Sequence, residues 1–140
     1  MNVLIDTNVI LDVLLKREPH YKNAAKIIVL SEKNYICGYI SASAITDIYY
    51  IAKKELKSKD AAFETLKNIL RTVHIASVTE SDIYEALDLK WDDFEDSVQY
   101  AAGKSISAAY IITRNSKDFT GSAVKAISPD EFLLKTVLRD

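Results

Sequence analysis

Four aspartates of this chain stand where a charge is expensive: Asp6, Asp47, Asp96 and Asp118. Asp6 ends the apolar run Val3-Leu4-Ile5 and is the only charge in the first eleven residues. Asp47 is the only charged residue between Asn34 and Ala52. Asp96 precedes a run of small and apolar residues, Ser97 to Gly103, and Asp118 follows the uncharged run Ser107 to Thr113. A carboxylate in such surroundings costs free energy unless something pairs with it. Four brought together would repel and raise each other's pKa unless a cation neutralised them. Oxygen donors of this kind suit Mg²⁺ or Mn²⁺ rather than zinc. One or two such ions can clamp a phosphodiester, activate a water and stabilise the leaving oxygen. The acids therefore offer a route to hydrolysis of a nucleic-acid backbone, provided the fold gathers them. Plainer readings stand beside this one. Asp6 could merely cap the next helix, and Asp47 could occupy the one solvent-facing side of its helix. Asp92 and Asp93 could simply complement a helix dipole, which suits Asp96, about a turn further in, less well.

The elements that must position these residues can be read from periodicity. Val3 to Ile5 suits a strand buried on both faces, with Thr7 or Asn8 as cap of the helix that follows. In an open α/β sheet the carboxyl end of such a strand is where ligands bind. Pro19 can open a second helix carrying Ala24, Ala25, Ile28 and Val29 on one stripe. Tyr35 to Ile40 reads as the second strand, parallel to the first because of the long crossover. Ser41 or Ser43 caps a helix to about Leu56, whose apolar residues predict burial on several sides. Lys53, Lys54, Lys57 and Lys59 follow, either a solvated helix end or a phosphate-contacting patch beside the Asp47 helix. A helix from Asp60 to Arg71 and a short strand from Val73 to Val78 come next. Thr79 and Asp82 resemble a capping box. Between Glu80 and Asp96 eight acids face one base, Lys90, mostly as a solvated surface. A helix beginning near Asp93 has small residues that let it pack close to a sheet. Strands at Ser107 to Thr113 and Ala123 to Ile127 and a helix opened by Ser128-Pro129 end the chain. In a parallel sheet the strand ends carrying Asp6 and Asp118, and the helix starts that follow such strands, fall at one edge.

Composition narrows the class. A chain of 140 residues suits one domain, residues 1–140, with a real core. The net charge of -2 excludes wholesale electrostatic binding of nucleic acid, so any such binding must use a local patch. One cysteine, Cys37, excludes an intramolecular disulfide and fits a reducing, cytoplasmic setting; beside Ile36 and Gly38 it reads as a small core residue. No apolar run approaches the roughly 20 residues a membrane span needs. A metal-free acid–base nuclease finds no support in His20 and His74, which fall in separate predicted elements.

The segments LIDTNVILD, SASAITD, DDFEDSVQYAAG and IITRNSKDF, in that order and at these separations, resemble a PIN domain, and more closely the VapC-type toxin ribonucleases of prokaryotic toxin–antitoxin pairs. The resemblance runs from Val3 to the terminal helix. It implies an α/β fold, a three-layer α/β/α sandwich around a central parallel sheet. It also implies metal-dependent endonucleolytic cleavage of RNA. It assigns Asp6 and Asp96 as metal ligands, and Asp118 to the final motif, where Thr113 and Asn115 orient ligands or water. Asp47 stands where the family usually has glutamate. One methylene shorter, its carboxylate would reach the metal directly or through a water. Asn115 stands where many relatives carry aspartate, which leaves the last acidic role to Asp118. Asn8, Asp93 and Glu95 are candidates for outer support or water positioning.

The implied cofactor is Mg²⁺ or Mn²⁺. The implied partners are an RNA substrate, an antitoxin that lays a peptide over the site, and a second copy in a homodimer. The tyrosine-rich segment Tyr35 to Ile51 suits such a surface, or ordinary core. A rival reading is a catalytically degenerate PIN-like binding module, which the Asp47 and Asn115 departures favour. An aspartyl-phosphate enzyme would want a second acid two residues after Asp6, where Asn8 stands, and a receiver domain would want its acceptor later.

Overall fold

The computed structural model describes residues 1–119 and 121–139. Strand β1 (Asn2–Ile5) is followed by α1 (Thr7–Leu14), α2 (Tyr21–Glu32), β2 (Cys37–Ser41), α3 (Ala42–Leu56), α4 (Lys59–Ile69) and β3 (His74–Ala76). Then come α5 (Glu80–Leu89), α6 (Phe94–Ser105), β4 (Tyr110–Ile112), a 3₁₀ turn at Ser116–Phe119, β5 (Lys125–Ile127) and α7 (Pro129–Arg139). The five strands pair in the order β3-β2-β1-β4-β5, all parallel. The order reverses between β1 and β4, and an open sheet of this kind holds its ligand crevice at the carboxyl ends there. Asp6 leaves β1 at that point, its N–H still donating to the Ile112 carbonyl at 2.9 Å.

Alternation along the strands divides the interior into two cores. Val3, Ile5 and Ile112 face one side with Val9, Ile27, Ile48, Leu66 and Phe132. Leu4 and Ile111 face the other with Tyr100, Ala102 and Phe119. Helices α1, α2, α3, α4 and α7 thus cover one face, and α5 and α6 the other. That is the three-layer α/β/α sandwich the sequence implies. Gly103 matters to the site because a Cβ there would meet Leu4 Cδ2 at 3.3 Å; its absence brings α6, with Asp96 and Gln99, close to β1 and Asp6.

Several expectations are corrected in detail. The helix after Pro19 begins at Tyr21, and the third and fourth strands are confined to His74–Ala76 and Tyr110–Ile112. Helix α3 is buried on one side only: Ala44, Ile48 and Ala52 are covered, whereas Asp47, Tyr50 and Ile51 are exposed. Its apolar residues outnumber the positions that α4, α1, α6 and the sheet cover. The capping box forms as expected, with the Asp82 N–H donating to Thr79 Oγ1 at 3.2 Å and the Thr79 N–H to Asp82 Oδ2 at 3.0 Å. Among the described residues no helix is long and apolar enough to cross a membrane.

Candidate active site

Asp6 occupies the N-cap position of α1, yet its side chain makes no capping bond to the helix. The plain capping reading therefore fails, and so does capping by Thr7 or Asn8, which already lie in the helix. Asp6 Oδ1 accepts a hydrogen bond from Gln99 Nε2 at 3.1 Å, and Oδ2 accepts one from Thr113 Oγ1 at 2.9 Å. Burial pushes its pKa above the ordinary carboxylate range, against the pull of the Thr113, Gln99 and Thr7 hydrogen bonds and the Arg114 charge. The Thr113 hydroxyl also accepts from the Asn115 N–H at 3.1 Å. One side chain thus ties the acid of β1 to the loop after β4.

A cavity of about 240 Å³ opens at this edge, lined by Asp6, Thr7, Asn8, Asp47, Ile51, Asp93, Glu95, Asp96, Gln99, Asn115 and Asp118. All four acids singled out in the sequence line it, with Asn8, Asp93 and Asn115, and Thr113 supports it from beneath. Six carboxylates share the lining with no basic side chain. Asp93 caps α6, its Oδ1 accepting from the Asp96 N–H at 3.1 Å, as the dipole reading allows. Asp96 is not needed as a cap. Burial first, then the charges of Asp93, Asp6, Asp118 and Glu95, push it up to about 7. Glu95 is likewise pushed up to about 7, by burial and by Asp47, which shares a hydrogen bond with it and repels its charge. Thr7 Oγ1 donates to Glu95 Oε1 at 3.3 Å. Glu95 thus brings a second carboxylate beside Asp47.

Three participants escaped sequence reasoning. Gln99 lies one helical turn after Asp96, a spacing that could have flagged it. It is 1 % exposed, and its Oε1 has no hydrogen-bond partner among the described residues. Asp12, inside the apolar run of α1, is fully buried and pairs with Arg114, Nε to Oδ2 at 2.8 Å; Arg114 Nη2 donates to Oδ1 at 3.3 Å. Arg114 sits between Thr113 and Asn115, so this ion pair pins the loop that carries both. The signal for Asp12 was the one that marked Asp47, a lone acid in an apolar helix.

The donor set suits a hard divalent cation: oxygens only, an excess of negative charge, and a Gln99 Oε1 that has no partner among the described residues and can accept from a water. Among the described residues no group of three or more His, Cys, Asp or Glu side chains is arranged to hold a metal ion as it stands. A cation would have to draw the exposed Asp47 and Asp118 inward.

The PIN domain family model matches residues 2–117, and the chain belongs to that family. No curated protein sequence matches it. Among solved structures, VapBC2 from Rickettsia felis bound to a promoter DNA fragment superposes with a TM-score of 0.71 at 18% identity, covering 91% of this chain and 98% of that one. VapBC-1 from nontypeable Haemophilus influenzae gives 0.69 at 16%, covering 93% and 99%. The sarcin-ricin loop cleaving toxin VapC20 from Mycobacterium tuberculosis gives 0.69 at 12%, covering 86% and 96%. At these identities the likeness establishes the fold.

Proposed function

We propose that this chain is a metal-dependent endoribonuclease and the toxin of a VapBC-type toxin–antitoxin pair. The observation that carries the reading is the cavity at the β1/β4 switch point, where six carboxylates and no base converge. Family membership and the toxin–antitoxin complexes among the similar folds support it. Asp6, Asp96 and Asp118 would hold Mg²⁺ or Mn²⁺, with Asp47 bound directly or through water. Such an ion supplies neutralisation of these charges, a lower pKa for a water, and stabilisation of the leaving oxygen. Thr113 and Gln99 fix both oxygens of Asp6, so that it meets a ligand without losing rotamer freedom. The Gln99 Oε1 would accept a hydrogen bond from a water and orient it for in-line attack on the phosphorus, leaving a 5′-phosphate and a 3′-hydroxyl. Asn115, Asn8, Asp93 and Glu95 would complete the outer hydrogen bonding. An antitoxin and a second copy of the chain are the partners that go with this reading, and a cytoplasmic setting goes with its substrate.

The test is cleavage of a fluorescent single-stranded RNA panel with Mn²⁺, Mg²⁺ or EDTA, wild type beside Asp6→Asn. Cutting that needs the metal and is lost in the variant supports the proposal. Equal cutting by both proteins would refute it. The rival is a degenerate binding module, favoured by the absence of a ready-made three-ligand cluster among the described residues. It is supported instead if folded, partner-free protein never cuts.

A further inference from the structure

Helix α3 does more than deliver Asp47. Asp47 and Ile51 line the acid cavity. Tyr50, Lys53, Lys54, Lys57, Ser58 and Lys59 line a neighbouring cleft of about 400 Å³. Positions 47, 50, 51 and 54 fall at helical spacing on one side of α3, and Lys57 follows as the left-handed residue that caps its C-terminus, so the two cavities lie along one helix and its end. From Asp47 to Lys54 the face runs roughly 10 Å at the rise of an α-helix. All four lysines are exposed, and none forms an ion pair with a carboxylate among the described residues. The Tyr50 ring is 64% exposed and sits T-shaped against Tyr49, their centroids 5.1 Å apart. Tyr49 is itself packed on Phe63 at 4.7 Å. A chain of net charge -2 thus sets four lysines, with only Glu55 and Asp60 interspersed, and an open aromatic face beside a cavity lined by six acids.

We infer that this face of α3 is the track for a single strand of RNA entering the acid cavity. Lys54 and Lys57 contact backbone phosphates, and Tyr50 stacks on a base. The assignment deepens the nuclease reading and rests on it. Lysine is depleted in protein–protein interfaces, whereas phosphate neutralisation by lysine and stacking on aromatic rings are the two terms of single-strand binding. The arrangement also answers an electrostatic problem. Six carboxylates repel a phosphodiester, and a basic stripe one to three helical turns away holds the strand while the scissile bond meets the acids. It takes the lysine cluster as phosphate-contacting, where a solvated helix end is the plainer alternative.

The test is fluorescence anisotropy with a short labelled single-stranded RNA in EDTA, over a salt series, so that binding is read apart from cleavage. The double variant Lys54→Gln with Lys57→Asn removes two charges; asparagine suits the left-handed backbone of position 57, where φ is 53°. The plot of log affinity against log salt should become shallower by about 1.4, two contacts at about 0.7 each for a single strand. Tyr50→Ala should weaken binding about tenfold while leaving the slope unchanged. Unchanged affinity and slope in both variants would overturn the inference, even if cleavage by wild type upheld the nuclease. Tighter binding of a glutamate-rich peptide than of RNA, lost in the same variants, would assign the surface to a protein partner and also overturn it. If the variants lose RNA binding while wild type never cuts, the track stands and the nuclease reading falls.

Discussion

The two ends of the parallel sheet both carry a cavity, and they differ in kind. At the amino edge lies one of about 470 Å³, lined by Met1, Ser31, Glu32, Cys37, Arg71, His74 and their neighbours. At the carboxyl edge lies the smaller one, of about 240 Å³. The amino-edge lining mixes an acid, bases and small polar groups, so its charges offset one another. The carboxyl-edge lining holds six acids and no base, and two of them, Glu95 and Asp96, are pushed up to about 7. Size therefore does not mark the site here. Crowded like charge is what sets the carboxyl edge apart, and costs of that kind cluster at functional sites. A second contrast lies within the carboxyl edge itself. Asp12 is as buried as Asp6, but Arg114 neutralises it. Asp6 accepts neutral hydrogen bonds from Gln99 and Thr113, and the Arg114 charge is the weakest of the influences that lower its pKa. One buried acid holds the loop in place, and the other is left with charge to offer.

The comparison can be broken or sharpened by experiment. The largest effect is expected from Asp96→Asn, which should reduce metal-dependent RNA cleavage by more than the roughly 10- to 100-fold typical of an outer-shell loss. Gln99→Leu should fall inside that roughly 10- to 100-fold range, and a rate equal to wild type would remove Gln99 from the site. Asp12→Asn should act on stability, leaving Arg114 without its partner. Because Arg114 is 28% exposed, the loss should lie near the lower end of the about 3–5 kcal/mol found for broken buried pairs, read from urea unfolding.

A smaller effect concerns pH. The folded-state pKa values of Glu95 and Asp96 are raised, so the folded protein holds protons that the unfolded chain has already released between pH 5 and 7. Stability from these groups is present at low pH and is lost as pH rises through about 7. In EDTA the melting temperature should fall from pH 6 to pH 8, and Mn²⁺ at pH 8 should restore it. Asp82, whose pKa is lowered by its Ser105 and Thr79 hydrogen bonds against its burial, stays ionised across that window and does not mask the trend. The smallest effect is expected at the other end of the sheet. Arg71→Gln and His74→Gln, both exposed, should leave cleavage within about twofold, as surface changes do.

The legible part of this molecule was what periodicity and local cost reveal. Val3-Leu4-Ile5 announced a central buried strand, and the lone acids Asp6 and Asp47 announced themselves by their apolar surroundings. Parallel pairing then sent those acids to one edge with Asp96 and Asp118. The less legible part depended on pairing across the fold. Nothing near Asp12 in sequence names Arg114, which lies across the chain from it. Helix α3 misled because its composition is apolar all round, yet its neighbours, α4 foremost, leave Asp47, Tyr50 and Ile51 exposed. Whether Asp6 capped α1 or turned inward was equally closed to the sequence, since both uses require the same residue at the same position. The outcome was set by Thr113 and Gln99.

The most direct test of the central claim is calorimetric titration of Mn²⁺ into the partner-free protein near pH 7, in two buffers of different ionisation enthalpy. The account predicts binding with net proton release, because Glu95 and Asp96 must give up protons as the ion enters. Both the binding and the release should be lost in Asp96→Asn. Absence of binding by folded wild type, or binding unchanged in the variant, would contradict it.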